Sequence, residues 1–347
     1  MTLSEITLHQ FRSHHEARFV FDPRVTFICG PNGAGKTNIL EAIYILFNGK
    51  SFRDNDEDLI EFDHDWWRIE GVLDSTVRDV RYQPSQQRSK QLYIDEVSKG
   101  RFTYRHQLPV VLFEPDDLLL IHGSPSARRR YIDDCILATS PTYRQTLAKY
   151  ERSLLQRNNL LKNKMLSTAA RKDSLFVWDV SLSELGAEIV TKRLEMIDRL
   201  NSGLNDIYSH IADKKQTLNL RYESKSHLPV SSSTLLQELH HNLAHDVMRG
   251  MTTVGPHRDD IDFVLNDASA KTTASRGEVR SSVLSLKIAF ARLMEEQFQT
   301  TPVVLLDDVF SELDEVRRSK LIAMMDTYQC IITDTQQPDD KVATVLL

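Results

Sequence analysis

Cysteine is scarce in this 347-residue chain: Cys29, Cys135 and Cys330 are three, odd in number and far apart. That excludes a disulfide or zinc framework and fits a reducing cytosol, with each thiol read as a small buried hydrophobe. Long apolar runs are missing too. Stretches such as Ala42 to Phe47 fall well short of the roughly 18 residues that span a bilayer. The opening Met1-Thr-Leu-Ser-Glu-Ile has neither the basic start nor the apolar core of a secretory signal, so a cytoplasmic protein with no membrane partner is expected. There is also no excess of positive charge. Lys and Arg number 43 against 49 Asp and Glu, a net −6, which argues against nucleic-acid binding through bulk charge and leaves only local clusters. With 41% apolar and 27% charged residues the chain is globular, and its length suggests about two domains of roughly 150 residues.

Strand-like alternation covers the first 30 residues and ends in the run Val25-Thr-Phe-Ile-Cys29. A helical pattern follows through Ile39, Ala42, Ile43 and Leu46, and mixed strand-like sequence continues to about Leu112. From Pro141 the texture changes. Tyr143, Leu147, Tyr150, Leu154, Leu161 and Met165, then after a polar break at 167–174 Leu182, Leu185, Ile189, Met196, Leu200 and Ile207, repeat at helical spacing. Two long helices, forming an antiparallel hairpin over about 141–212, are predicted. Alternating elements return: a helix at about 233–249, a strand Ile261 to Leu265, a helix from Glu278 to about Gln297, and the strand Val303-Val-Leu-Leu306. The expected organisation is a split α/β domain, 1–112 and 251–347, interrupted by a helical lobe at 113–250.

Gly30-Pro31-Asn32-Gly33-Ala34-Gly35-Lys36-Thr37 fits G-x-x-x-x-G-K-[ST], between a strand and a helix as a phosphate loop requires. Its glycines let backbone N–H groups turn toward phosphate oxygens at a helix N-terminus, where Asn38 follows. Lys36 would reach the β- and γ-phosphates of ATP, and the Thr37 hydroxyl would bind Mg²⁺. The second half of such a site is an apolar strand ending in carboxylates, here Val303 to Leu306 and then Asp307-Asp308. Asp307 is expected on Mg²⁺ and Asp308 on the attacking water, as orienting group or base.

Ser275-Arg-Gly277-Glu278, opening a helix, resembles the signature of ABC-type ATPases, and Ser311-Glu-Leu-Asp314 resembles their D-loop. In that superfamily the signature of one subunit caps the nucleotide held by another, so the likeness implies ATP sandwiched in a head-to-tail homodimer. Ser275 suits hydrogen bonding and Gly277 close approach; a plain N-cap Ser with a following Glu explains the same tetrapeptide. Thr37 and Ser275 are 238 residues apart, more than a compact transporter ATPase leaves. SMC-related enzymes put a coiled coil there, and this insertion is short.

Longer blocks are more specific: Asn32 to Ile43, Lys50-Ser-Phe-Arg53, Pro115-Asp-Asp-Leu, Gly123 to Asp133, Thr253-Val-Gly-Pro-His-Arg-Asp-Asp260 and Leu305 to Asp314. Across nearly its whole length the chain resembles the RecF recombination-mediator ATPases of bacteria. The resemblance implies an ABC-type P-loop ATPase head, a mixed sheet with flanking helices and an inserted helical second lobe. It further implies ATP-dependent dimerisation on DNA at single-stranded gaps or duplex junctions, and slow DNA-stimulated ATP hydrolysis. The partners it implies are RecR and RecO, and indirectly RecA. Arg12, in Phe11-Arg-Ser-His14, resembles an arginine that touches nucleotide near the adenine in related ATPases. Two departures from the wider ABC pattern stand out. Asp308 occupies a position where many ABC enzymes carry Glu, and Thr333-Asp-Thr335 lacks a switch histidine.

The DNA-facing candidate is the first half of the hairpin. Residues 141–172 carry Arg144, Lys149, Arg152, Arg157, Lys162, Lys164, Arg171 and Lys172 against Glu151 alone, a net +7. Such a face suits sequence-independent phosphate contacts, and equally a solvated helix surface. Arg128-Arg-Arg130 has two readings, a nucleotide clamp or a brace between lobes. Asp54, Asp56, Asp58 and Asp65 imitate a calcium loop but lack its central Gly and terminal Glu. The reading is therefore an ATP-gated DNA clamp or marker of recombinational repair and replication restart. The alternatives are an ABC-type motor subunit, an SMC-like structural DNA protein, or a nuclease, for which no ligand cluster is visible.

Overall fold

The computed structural model describes residues 1–86, 88–163, 168–212, 216–226, 230–337 and 343–347, leaving aside the side chains of 168–172, 311 and 312. The chain begins with β1 (Leu3–Phe11), β2 (His14–Val20), β3 (Val25–Cys29) and α1 (Lys36–Asn48). β4 (Trp67–Leu73), β5 (Thr76–Tyr82), β6 (Lys90–Ile94), β7 (Val97–Gly100) and β8 (Val110–Phe113) follow. Next come α2 (Leu119–His122), α3 (Pro125–Thr139), α4 (Tyr143–Lys162), α5 (Thr168–Ala212) and β9 (Leu218–Glu223). α6 (Ser232–His241), α7 (Leu243–Arg249), β10 (Asp260–Leu265), β11 (Ala268–Ser269), α8 (Ala270–Thr273) and α9 (Arg276–Phe298) lead on. The chain closes with β12 (Val303–Leu306), α10 (Glu315–Met324), β13 (Gln329–Asp334) and β14 (Ala343–Leu346). The class is α/β, as expected.

Two compact units emerge. The first comprises Met1–Asp117, His210–Ala212 and Lys287–Leu347; the second comprises Leu118–Ser209 and Asp213–Leu286. The first division lies close to the expected 112/113. The later one falls inside α9 rather than at 250/251, because β10 pairs antiparallel with β9 and takes α3 and α8 against it. Residues 251–286, the signature included, therefore group with the helical unit.

The first unit holds a six-stranded antiparallel sheet, β2-β1-β4-β5-β6-β7, and a five-stranded parallel sheet, β14-β3-β13-β12-β8. Strands buried on both faces read as continuous apolar runs, which is why 25–29, 110–113 and 303–306 were legible. β13 separates β3 from β12, so the phosphate-loop strand and the carboxylate strand are neighbours but one. α1 packs against β4 and β5 of one sheet and β8 and β13 of the other. A helix so placed needs apolar residues over most of its circumference, and Ile39, Leu40, Ala42, Ile43, Ile45, Leu46 and Phe47 are all fully buried. Gly71 of β4 permits the close approach: a Cβ there would lie 2.3 Å from Leu46 Cδ2. One polar group also joins the two sheets. The buried Gln329 amide accepts from the Leu3 N–H and donates to the Leu3 carbonyl, each at 2.7 Å, and donates to the Asp22 carbonyl at 3.0 Å.

In the second unit, α4 and α5 form the expected antiparallel pair. Thr146 meets Glu188 (2.9 Å), Ser153 meets Ser181 (3.0 Å) and Arg157 meets Asp179 (2.6 Å), so partners on α5 descend as α4 ascends. α5 runs for 45 residues and begins at Thr168. Most of the polar stretch read as a break is thus the start of the helix; it holds no helix breaker and includes the helix formers Ala169 and Ala170. The predicted helix at 233–249 is divided at Asn242 into α6 and α7. The three cysteines are buried and none is in a disulfide.

Candidate functional site

The chain turns sharply between β3 and α1. Gly33 and Gly35 have φ of 83° and 95°, left-handed values that glycine adopts without strain. A Cβ on Gly35 would also sit 2.9 Å from Ser13 Oγ and 3.0 Å from His14 Nε2, so the β1–β2 turn presses on the loop. Around this cradle run Gly30, Pro31, Asn32 and Ala34, whose N–H donates to the Pro31 carbonyl at 3.2 Å. Lys36 is buried, its ammonium donating to the Gly30 and Pro31 carbonyls at 2.9 and 3.1 Å. Asn38 donates to Ser13 Oγ and accepts from Arg53, each at 3.1 Å.

Across the parallel sheet, Thr37 Oγ1 donates to Asp307 Oδ1 at 3.0 Å, and Thr333 Oγ1 donates to the same oxygen at 2.8 Å. The Thr333 hydroxyl accepts in turn from the Asp308 N–H at 2.8 Å. Burial pushes the Asp307 carboxyl up, against the pull of these two hydroxyls. The donor set is hard oxygen, as Mg²⁺ prefers. The Thr37–Asp307 separation is also close to the about 2.9 Å between adjacent ligands of an octahedron with 2.0–2.1 Å bonds. The residues fit the ion. Asp308 has φ of 48° and caps a short 3₁₀ turn, Val309–Glu312. Thr335 is exposed beyond the end of β13, whereas Thr333 contacts both Asp307 and the backbone of Asp308.

Arg12 lies beside this loop and is not a solvated surface arginine. Its guanidinium donates twice to Glu41 at 2.9 Å and also to Asp54. Glu41, fully buried on α1, further accepts from Arg53 (2.7 Å) and Ser51 (2.5 Å). Burial alone would raise the Glu41 carboxyl, but these hydrogen bonds hold it below its usual range. Asp56 pairs with Lys90, so the carboxylates that imitate a calcium loop face different partners.

At the end of β8, beside β12, Glu114 is half-buried. Burial first, then Asp117, pushes its carboxyl up to about 7 against the pull of Lys287. The folded chain then holds a proton that the unfolded chain, titrating near 4.5, has lost. That contribution to stability is full below about pH 4.5 and is lost as pH rises toward 7. Glu114→Gln should flatten this part of the stability curve in magnesium-free urea titrations. An unchanged slope between about pH 5 and 7 would refute the assignment.

Ser275 and Gly277 belong to the second unit. Ser275 is exposed; its N–H and hydroxyl donate to Glu278 at 2.9 and 2.8 Å, and it accepts weakly from the Glu278 N–H at 3.4 Å, a capping box at the start of α9. Arg128 is buried and forks onto Asp260 at 2.7 and 2.8 Å, while Arg129 donates to the Asp259 carbonyl at 2.6 Å. Arg128 and Arg129 thus brace the 259–260 corner inside the second unit, while Arg130 is exposed.

On α4, Arg144, Lys149, Arg152 and Lys162 are exposed. At 100° per residue they fall within an arc of about 140° on one side of the helix. Arg157 points the opposite way and corrects the expectation. It is fully buried, bonded to Asp179 and Asp246 at 2.6 Å each and to Thr252 at 2.9 Å, and so is withdrawn from any DNA face. Lys164 and the side chains of Arg171 and Lys172 lie outside the described residues.

The chain matches the family model RecF/RecN/SMC N terminal domain over residues 2–343. It is 37% identical over 358 residues to the DNA replication and repair protein RecF of Halalkalibacterium halodurans, covering 96% of this chain and 93% of that protein. Among solved structures it resembles the recombination mediator protein RecF-ATPrS in the RecFOR pathway (TM-score 0.87, 28% identity, 99% and 95% covered). It likewise resembles the corresponding RecF-ATP structure (TM-score 0.84, 28% identity, 98% and 93% covered).

Proposed function

This chain belongs to the RecF family, and from that premise we propose that it is an ATP-dependent DNA-binding protein of recombinational repair and replication restart. In this reading it dimerises on DNA when ATP is bound and helps load recombinase at single-stranded gaps in the cytoplasm, working with RecR and RecO and indirectly RecA. The observation that carries the reading is the hydrogen bond of Thr37 to Asp307, which joins the phosphate loop to the carboxylate strand across β13.

Backbone N–H groups of Gly33, Gly35, Lys36 and Thr37, at the N-terminus of α1, hold phosphate oxygens. Lys36 already rests on loop carbonyls and supplies the cation that balances the terminal phosphates. Thr37 and Asp307 hold Mg²⁺. When bound, ATP and its ion supply the γ-phosphoryl group and the charge neutralisation its transfer needs. Asp308 orients the water and accepts its proton. Ser275 and Gly277, exposed or half-exposed at the start of α9, are free to meet nucleotide on a second copy. Hydrolysis is slow and stimulated by DNA, and releases the dimer.

The exposed bases of α4 provide phosphate contacts without sequence preference. The test is DNA binding by fluorescence anisotropy, with and without ATP, on single strands, duplexes and junctions at two salt concentrations. ATP should tighten binding, and Lys36→Ala should abolish that response. Replacing Arg144, Lys149, Arg152 and Lys162 together by alanine should lower the salt slope by about 3. Binding indifferent to ATP, or absent, overturns the clamp; an unchanged slope removes the α4 face alone.

A further inference from the structure

A cluster in the first unit, apart from the nucleotide residues, joins the β1–β2 turn to the segment that follows Asp58. Phe11 bridges Ile60, the Arg12 N–H donates to the Leu59 carbonyl at 2.8 Å, and the Glu61 N–H donates to the Gln10 carbonyl at 2.9 Å. A turn closed by the His64 N–H on the Glu61 carbonyl (3.2 Å) brings the next side chains round. On this backbone frame two imidazoles converge on one carboxylate. His15 Nδ1 lies 2.9 Å and His64 Nε2 lies 3.4 Å from Glu61 Oε2. The two rings are 5.4 Å apart at 43°, and the three donor atoms all lie within 4.8 Å of one another.

We propose that His15, Glu61 and His64 form a divalent transition-metal site of the two-histidine, one-carboxylate class, suited to Zn²⁺. Tetrahedral zinc with bonds of about 2.0–2.1 Å spaces its donors about 3.3 Å apart, matched by the 3.4 Å of His64 to Glu61, with the 2.9 Å of His15 to Glu61 somewhat shorter. Borderline imidazole nitrogen is what zinc selects over the hard cations that the all-oxygen Thr37–Asp307 pair suits. Three protein ligands leave a position for water, and His15 is exposed, so solvent reaches the fourth position. The segment 53–65 carries seven acidic residues against Arg53 and raises the local concentration of cations. The ion fastens the β1–β2 turn to 59–64. The neighbouring His14 faces the Gly35 carbonyl at 3.5 Å, so the turn being fastened is the one that abuts the phosphate loop.

The full-length protein, stripped with chelator and free of ATP and Mg²⁺, is titrated with ZnCl₂ by calorimetry. The comparison is with the double variant His15→Ala/His64→Ala and with Glu61→Gln. The wild type should bind one more zinc per chain than the double variant, and Glu61→Gln should weaken that site about tenfold. Equal stoichiometry in wild type and double variant overturns the proposal. Because a variant could differ in folding, Co²⁺ is added to the wild type alone. Visible d–d absorption of low-coordinate cobalt, displaced by one equivalent of Zn²⁺, supports the site, and the weak spectrum of aqueous cobalt alone overturns it.

Discussion

Arg157→Ala should destabilise the helical unit by about 3–5 kcal/mol, measured as a fall in the urea midpoint. The guanidinium lies between Asp179 of α5 and Asp246 of α7, all three essentially without exposed surface, with Thr252 closing the set. Asp246 also accepts from the Thr253 N–H (3.0 Å) and hydroxyl (2.6 Å), so one carboxylate anchors the loop that leads into Gly255-Pro256-His257. Removing the cation leaves two carboxylates buried without their counter-charge, and this penalty, rather than the net worth of the pair, sets the size of the effect. Arg144→Ala, on the exposed side of the same helix, should leave stability within about 0.5 kcal/mol of wild type. A loss below about 1 kcal/mol for Arg157→Ala would mean that the charges relax into solvent and the network is not a keystone of the unit.

The second large effect is catalytic. Asp308→Asn should slow ATP hydrolysis on the order of 10²–10⁴-fold while ATP affinity changes little. The substitution is well suited to the position. Asp308 has left-handed backbone geometry, φ 48°, which asparagine tolerates better than most residues, and the N–H bond to Thr333 is retained. The ability to accept a proton is removed together with one negative charge beside Asp307, so the ATP-bound dimer should persist. Wild-type turnover by this variant with DNA present would assign the base elsewhere. Asp307→Asn tests a different role and should raise the Mg²⁺ concentration needed for tight ATP binding.

The parts of this molecule that were legible in sequence are those where local chemistry and tertiary context agree. The phosphate loop needs glycine at two left-handed positions, and buried parallel strands need apolar runs, so both were visible. The hairpin was visible as a helical period on two consecutive stretches. Arg157 was misread because a charge count cannot tell which side of a helix faces inward. Its place opposite the other four bases follows from the 100° helical step, but its acidic partners lie 22 and 89 residues away. The roles of Thr333 and Gln329 were invisible for a related reason. Each is one polar residue in a buried strand, and its partners come from distant chain segments. The chain boundary near 286 was hidden because it divides one continuous helix, where composition does not change.

Wedged between two sheets and half-exposed only at Thr37, Asn38, Tyr44 and Asn48, α1 has little room to shift. Moving it would pull leucine, isoleucine and phenylalanine side chains off one sheet or the other, each worth about 1.5–3 kcal/mol when fully buried. Lys36 and Thr37 are therefore mounted on a fixed anvil. Any mechanical response to nucleotide has to be carried by what borders it: the turn at Ser13 and His14 on one flank, and the hydroxyl of Thr333 on the other. That hydroxyl touches Asp307 and the backbone of Asp308 together, so a change in how one carboxylate is ligated is felt at once as a change in where the other points.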